Sequence, residues 1–212
     1  MEIKEILFGN KKCFMVENES DSIVIQPIDS HDFEEIENEW KVVSKPFTLI
    51  MLPIVNWNYE LSPWTHEAVF GKEGFGDGAK ETLDFIINEM IPSLPSNKKF
   101  YLAGYSLAGL FALWASYQVS SFEGIVAASP SMWFHGFLDY TKENSIQTKR
   151  IYLSLGDKEE FTKNPIMKTV GDHIRSYASS LEKEIPCVLE WNQGNHFKDS
   201  GMRVGKGIEW IL

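Results

Sequence analysis

The sequence has few cysteines, a deficit of basic residues and no long apolar run. Its two cysteines, Cys13 and Cys187, are too few for a disulfide framework and do not form a metal-type pair. With 20 basic and 30 acidic residues the formal net charge is −10, which argues against nucleic acid or an anionic membrane as a partner. The most apolar stretch, residues 47–55, is too short to span a bilayer. We therefore expect a cytoplasmic protein with reduced thiols.

No repeat, low-complexity segment or Pro/Gly/Ser-rich linker divides the sequence. Its length of 212 residues suits one domain, so we predict a single domain over residues 1–212. Residues 1–12 lack the basic start and apolar core of a secretory signal, and none is expected.

Short apolar runs alternate along the chain with segments of helical periodicity. A capping box at residues 32–35 is expected to open the first helix, and Pro92 and Pro95 are expected to end the second. Alternating strands and helices are typical of βαβ units, so we predict an α/β fold with a mostly parallel sheet and helices on both faces. The predicted strands are 13–16, 22–26, 47–55, 100–103, 125–128, 151–155 and 187–191, and the predicted helices are 32–43, 79–91, 107–118, 166–181 and 202–212.

Residues 104–109, with the sequence GYSLAG, lie between a predicted buried strand and a helix that is apolar nearly all round. This is the setting of a nucleophile elbow, a sharp turn that lifts a serine hydroxyl above the sheet. Such a turn needs small residues two positions either side of Ser106, and Gly104 and Ala108 meet that need. The Leu107 amide would point at the reaction centre, where the helix dipole favours negative charge. We therefore predict that Ser106 is a nucleophile rather than a serine that only caps a core helix.

Among the five histidines, His196 has the position expected of the base that activates the serine. It follows the last predicted strand and precedes the final helix, so it comes last in the order serine, acid, histidine. His135, in a loop beside aromatic residues, is a candidate pocket residue. His66 and Glu67 begin like a zinc-protease helix, but Phe70 stands where the second histidine would be, so no metal site is expected.

Three carboxylates compete for the role of the acid, which orients the imidazole and stabilises its cation. All three lie in the loop after the strand predicted at 151–155. Glu159 stands three residues beyond Gly156, a familiar spacing for this acid, and is the first choice. Asp157 is shorter, lies closer to the end of the strand and is the alternative, and Glu160 is third.

The loop after the strand at 47–55 is expected to complete the oxyanion hole. The Leu107 amide is one predicted donor, and the second comes from Asn56 or Trp57, between which the sequence leaves the choice open. In open α/β sheets the carboxyl ends of the strands face the ligand. Aromatic residues at or after these ends are therefore expected to bind substrate, unless they pack in the core: Trp57, Trp64, Trp133 and Tyr105.

Residues 74–79, with the sequence GFGDGA, match the dinucleotide-binding fingerprint, but the segment before them is a poor strand. No P-loop and no metal-binding cluster is present in the sequence. We expect no cofactor.

Taken together, these segments resemble bacterial esterases of the α/β-hydrolase superfamily, related to esterase D and to siderophore-esterase-like proteins. This resemblance implies that Ser106, Glu159 and His196 form a catalytic triad. The chain is short, which implies a minimal lid or none, and Ala108 stands where many members have glycine. The matching stretches are 32–37, 56–64, 74–91, 104–109, 129–133, 156–159 and 195–197.

The resemblance also implies a serine esterase whose partner is a small-molecule ester rather than a nucleic acid or a membrane. Two other readings stay open at this point. The same residues could serve a thioesterase, peptidase or acyltransferase, and a hydrolase fold without catalytic activity could bind a ligand or partner.

Overall fold

The computed structural model describes residues 1–212 and contains eight strands and seven α-helices. The strands are β1 (Lys4–Phe8), β2 (Lys11–Val16), β3 (Ser22–Ile28), β4 (Thr48–Pro53), β5 (Lys99–Tyr105), β6 (Gly124–Ala128), β7 (Ile151–Gly156) and β8 (Cys187–Asn192). The helices are α1 (Ser30–Val42), α2 (Trp57–Glu60), α3 (Ala79–Phe85), α4 (Ser106–Gln118), α5 (Phe137–Glu143), α6 (Val170–Leu181) and α7 (Ser200–Ile211).

All eight strands belong to one sheet, in the order β1-β2-β4-β3-β5-β6-β7-β8. The six strands from β4 to β8 in this order are parallel, whereas β1 and β2 add an antiparallel edge. The central strands β6 and β7 are buried along their whole length because helices cover both of their faces. The predicted α/β fold, with a mostly parallel sheet between helices, is confirmed.

The helices divide the core between the two faces of the sheet. On one face, α3 to α6 pack over the larger apolar cluster, and α4 is buried on nearly every side. On the other face, α1 and α7 cover the smaller cluster through Ile36, Val204 and Ile208. Helix α7 approaches α1 so closely that a Cβ at Gly201 or Gly205 would overlap the backbone of α1. This close packing fixes the helix that follows the loop of His196.

Several local elements differ from the sequence predictions. The capping box lies three residues earlier than expected, because Asp29 accepts from the Asp32 amide at 2.9 Å and Asp32 accepts from the Asp29 amide at 3.3 Å. The helix predicted at 79–91 ends as an α-helix at Phe85 and continues as a π turn and a 3₁₀ turn around Pro92. Strand β1 and the short helices α2 and α5 were not predicted. None of the helices combines the length and apolar character needed to cross a membrane.

Candidate active site

Ser106 occupies a sharp, strained turn between β5 and α4. Its φ of +56° lies in the left-handed region that residues with a side chain rarely adopt. The turn also brings the strand against the first turn of the helix, where a Cβ at Gly104 would overlap the backbone of Ala108. The Ser106 carbonyl accepts from the Ser131 amide at 3.0 Å, which ties the turn to the loop after β6. The local geometry is that of a nucleophile elbow, with the serine side chain at its apex.

His196 reaches Ser106 from the loop between β8 and α7. Its Nε2 lies 3.0 Å from Ser106 Oγ, and its Nδ1 lies 2.7 Å from Glu159 Oε2. A carboxylate only accepts, so Nδ1 carries the proton and Nε2 is left to accept from the serine hydroxyl. The His196 carbonyl accepts from the Tyr105 hydroxyl at 2.6 Å, so the backbone of the loop is held as well.

Glu159 is buried in the 3₁₀ turn after β7, with its side chain 4% exposed. Burial alone would raise the pKa of this carboxyl, but hydrogen bonds from His196, Ser129 and the Gly156 amide hold it below its usual range. The carboxyl therefore stays ionised beside the imidazole.

The three carboxylates that competed in the sequence have three different partners. Glu159 contacts His196, whereas Asp157 Oδ1 accepts from the Gly194 amide at 2.8 Å. Glu160 pairs with Arg175 on the surface at 2.7 Å. Of the three, the structure brings only Glu159 into contact with the imidazole of His196, and Asp157 contacts the loop backbone instead.

The backbone amides near Ser106 separate the two candidates for the second oxyanion donor. The Asn56 amide already donates to Glu60 Oε1 at 2.7 Å, which argues against the expectation that it was available. Trp57 is the first residue of α2, where an amide has no acceptor within the helix. The Leu107 amide is likewise in the first turn of α4. Trp57 and Leu107 therefore have amides free to donate.

A cleft of about 650 Å³ opens in front of Ser106, His196 and Glu159. Trp57 and Trp133 line it, as expected from the sequence. The sequence did not predict the remaining apolar wall of the cleft, which comprises Phe70, Phe161, Met167, Val170 and Phe197. The side chains of Phe161 and Phe197 are 76% and 81% exposed. Phe161 follows Glu159 by two residues and Phe197 follows His196 by one.

Two residues expected to bind substrate do not line this cleft. Trp64 donates its indole N–H to the His135 carbonyl at 2.9 Å and packs its ring against Phe134. Tyr105 is buried, and its hydroxyl holds the His196 loop instead of facing the cleft. The structure therefore places both outside the cleft, because an aromatic residue near the end of a strand can point into the interior as well as into a pocket.

A second cavity, of about 410 Å³, lies on the other side of Trp133. His66, His135 and His173 line it, so His135 belongs to this cavity and not to the cleft of Ser106. The chain contains no group of three or more His, Cys, Asp or Glu side chains arranged to hold a metal ion.

Arg203, on α7, is the residue of this region that the sequence reasoning missed altogether. It is buried and donates to Glu159 Oε1 at 2.7 Å. A single arginine among the apolar residues of a predicted amphipathic helix was the available signal, because a buried arginine requires a partner.

Comparisons with known proteins agree with this geometry. A family model described as "Putative esterase" matches residues 45–186. No curated protein sequence matches the chain. Among solved structures, an IroE-like serine hydrolase from Shewanella oneidensis is 16% identical with a TM-score of 0.80, covering 99% of this chain and 79% of that one.

Two further structures are similar at lower TM-scores. The Pyrococcus furiosus esterase Pf2001 is 14% identical with a TM-score of 0.57, covering 99% of this chain and 91% of that one. A protein from Agrobacterium tumefaciens described as a "Putative Alpha/Beta Hydrolase" is 12% identical with a TM-score of 0.62, covering 100% of this chain and 94% of that one. At these identities the similarity shows the fold, which is that of an α/β hydrolase.

Proposed function

Because the chain belongs to the Putative esterase family, we propose that it is a serine carboxylesterase that cleaves a small carboxylic ester through an acyl-serine intermediate. The observation that carries this proposal is the continuous relay from Ser106 Oγ to His196 Nε2 at 3.0 Å and from Nδ1 to Glu159 Oε2 at 2.7 Å. A serine hydroxyl becomes an effective nucleophile when a base within hydrogen-bond reach removes its proton.

In the acylation step, His196 Nε2 takes the hydroxyl proton while Ser106 Oγ bonds to the ester carbonyl carbon. The carbonyl oxygen becomes an oxyanion, which the Leu107 and Trp57 amides stabilise. Glu159 holds the ring and balances the positive charge on the imidazolium. The tetrahedral intermediate collapses, the bond to the alcohol oxygen breaks, and His196 returns its proton to the departing alcohol.

In the deacylation step, water takes the place of the alcohol. His196 removes a proton from the water as its oxygen bonds to the acyl carbon, and the same two amides stabilise the second oxyanion. Collapse breaks the bond to Ser106 Oγ, which regains its proton from His196. The free acid leaves and the resting enzyme is restored, so the cycle needs no resident cofactor.

The cleft supports a substrate of modest size with an apolar group. Its volume is about 650 Å³, and the indole rings of Trp57 and Trp133 and the exposed rings of Phe161 and Phe197 supply apolar contacts. We further propose that residues 1–212 form one domain, because all eight strands share one sheet. The two free thiols, Cys13 and Cys187, support a cytoplasmic location.

The test is hydrolysis of short p-nitrophenyl esters by the wild-type protein and by Ser106→Ala. We expect kcat/KM to fall at least ~1000-fold in the variant, because the nucleophile is lost. The matched control is Ser120→Ala at an exposed serine, which should keep full activity. Labelling by a fluorophosphonate probe should be lost in Ser106→Ala and kept in the control.

Parallel panels of esters, thioesters and amides with the same acyl group assign the class of substrate. A higher kcat/KM for esters supports the proposal, and a preference for thioesters or amides contradicts it. Absence of turnover together with absence of labelling at Ser106 would also contradict it and would favour a binding protein.

A further inference from the structure

Arg203 is a buried cation that contacts the segments after β6, β7 and β8, through Ser129, Glu159 and Asn195. Its side chain is 1% exposed, and it lies on α7, one turn into the helix. We propose that Arg203 is a positioning residue of the reaction, which holds Glu159 and the backbone of the His196 loop in the geometry that the relay needs. This inference rests on the proposed function and deepens it.

The first support is the way in which the two oxygens of Glu159 are divided. Oε1 accepts three hydrogen bonds, from Arg203 Nη1, Ser129 Oγ and the Gly156 amide, each at 2.7 Å. Oε2 accepts one, from His196. A rotation of the carboxylate would break all three contacts at Oε1, so Oε2 stays directed at the imidazole.

The second support is that Arg203 also holds the loop that carries the imidazole. Its Nη2 donates to the Asn195 carbonyl at 2.9 Å, and its Nη1 lies 3.2 Å from the Tyr105 hydroxyl. That hydroxyl in turn donates to the His196 carbonyl. The carbonyls of Asn195 and His196 are therefore held by Arg203 and by Tyr105 beside it. The planar guanidinium has enough donors to reach Glu159 and this loop at the same time.

The third support is the space that the surrounding backbone leaves for the guanidinium. A Cβ at Gly156 would lie 2.9 Å from Arg203 Nη2 and 2.9 Å from Glu159 Oε1. Arg203 Nη1 also donates to Ser129 Oγ at 2.8 Å, and Ser129 has a strained φ of +45°. The backbone at the ends of β6 and β7 thus leaves room for the guanidinium and places an acceptor beside it.

The charge of Arg203 has a consequence that a purely structural residue would not have. It compensates the buried negative charge of Glu159, and so it weakens the attraction that would keep a proton on His196 in the resting enzyme. Removing the positive charge should therefore move the acid limb of the pH–rate profile to higher pH. The other charged or titratable groups around His196 are Tyr105 in contact, Asp29 and Lys158 on the cleft wall, and Asp32 farther away.

The experiment compares Arg203→Met and Arg203→Lys with a matched control, Arg175→Met. Arg175 forms a two-bond pair with Glu160, the neighbour of Glu159, but lies on the surface and away from the relay. The measurements are kcat and KM from pH 5 to pH 9, thermal unfolding, and the downfield proton resonance of the His196 Nδ1–H. The ester is the best p-nitrophenyl substrate of the wild-type protein.

For Arg203→Met we expect kcat to fall ~10- to 100-fold with little change in KM, because the relay is misaligned. The acid limb should move up by about one pH unit, and the downfield resonance should broaden or disappear. Arg203→Lys keeps the positive charge but loses the planar group with two donor nitrogens. The acid limb of its pH–rate profile should therefore stay in place, while kcat falls about 5-fold or more. Arg175→Met should match the wild type in all of these measurements.

Two activity results for Arg203→Met would overturn the inference. One is a folded Arg203→Met protein with the wild-type acid limb and kcat. The other is a loss of kcat that merely follows the unfolded fraction, with the acid limb unmoved. If Arg203→Met does not fold, an Arg203→Lys protein with full kcat would overturn the inference just as well.

The resonance separates this inference from the proposed function, because it needs no substrate. If no ester is cleaved by the wild-type protein, the proposed function fails. A resonance that is present in the wild type and in Arg175→Met but lost in Arg203→Met would still support the role of Arg203, and a resonance unaffected in Arg203→Met would overturn it.

Discussion

Two glutamates are buried near the first half of α7, and their carboxyl groups differ in charge. Glu159 lies at the loop end of α7, in contact with Arg203, whereas Glu39 lies in α1 where that helix packs against Gly205 of α7. Burial raises the pKa of Glu39 to about 8, but the pKa of Glu159 lies below its usual range. Depth of burial therefore does not decide the charge of a carboxyl in this fold.

The number of hydrogen-bond donors accounts for the difference. Glu159 accepts four hydrogen bonds, and Arg203 supplies a compensating charge. Glu39 accepts one, from Gln26 Nε2 at 3.1 Å, while Glu39 Oε1 and Gln26 Oε1 are buried without a partner. A protonated carboxyl and a primary amide can form two bonds, and the two unpartnered oxygens are the atoms that the second bond would join. Of these two glutamates, the one at the proposed site is ionised and the one beside Gln26 is protonated near neutral pH.

The largest effect should come from removing the charge of Glu159 while keeping its shape. In Glu159→Gln we expect kcat to fall ~10³- to 10⁴-fold, because a neutral amide neither fixes the ring tautomer nor balances the imidazolium. Ester hydrolysis measures the loss, and near-UV circular dichroism at the same temperature verifies that the variant is folded. A loss smaller than tenfold in a folded variant would show that Glu159 is not the acid.

The second effect concerns the free energy of unfolding, which should depend on pH through Glu39. The stabilisation associated with Glu39 is fully present below pH 4.5 and is lost as the pH rises towards about 8, since the folded state holds the proton more tightly. Glu39→Gln cannot ionise, so its free energy of unfolding should exceed that of the wild type by roughly 5 kcal/mol at pH 9. Urea unfolding at pH 5, 7 and 9 measures the gap, and a gap that does not widen with pH would contradict the raised pKa.

The smallest effect should come from the carboxylate that the sequence offered as the alternative acid. Asp157 accepts from the Gly194 amide and does not contact His196, so Asp157→Asn should change kcat by less than about 5-fold. Measuring it beside Glu159→Gln under the same conditions sharpens the comparison. A loss as large as that of Glu159→Gln would exchange the roles assigned to the two residues.

The sequence predicted the fold and the relay because their signals are local. A strand, a glycine, a serine and an apolar helix stand next to one another around Ser106, and the family resemblance that these segments indicated is confirmed by the family model. The spacing after Gly156 favoured Glu159, and the structure brings it to His196. The catalytic roles of these residues stay predictions that the experiments above address.

The features that were missed depend on contacts between distant segments. Strand β1 carries charged residues and becomes a strand only by pairing with β2 at an exposed edge. Trp64 and Trp133 both follow strands of the parallel sheet, and the three-dimensional packing decides which one faces the cleft. Arg203 is 44 residues from its carboxylate partner, so no local pattern could assign it.

At Ser106 the proposed catalytic activity and the thermal stability of the protein favour different residues. Its φ of +56° is unfavourable for serine and for alanine but not for glycine. Replacement by glycine should relax this turn and raise the melting temperature above that of the alanine replacement, while leaving the cleft intact. The inactive glycine variant would then be the better reagent for capturing an uncleaved ligand in a crystal. The replacement that stabilises this turn is also the one that abolishes the proposed reaction.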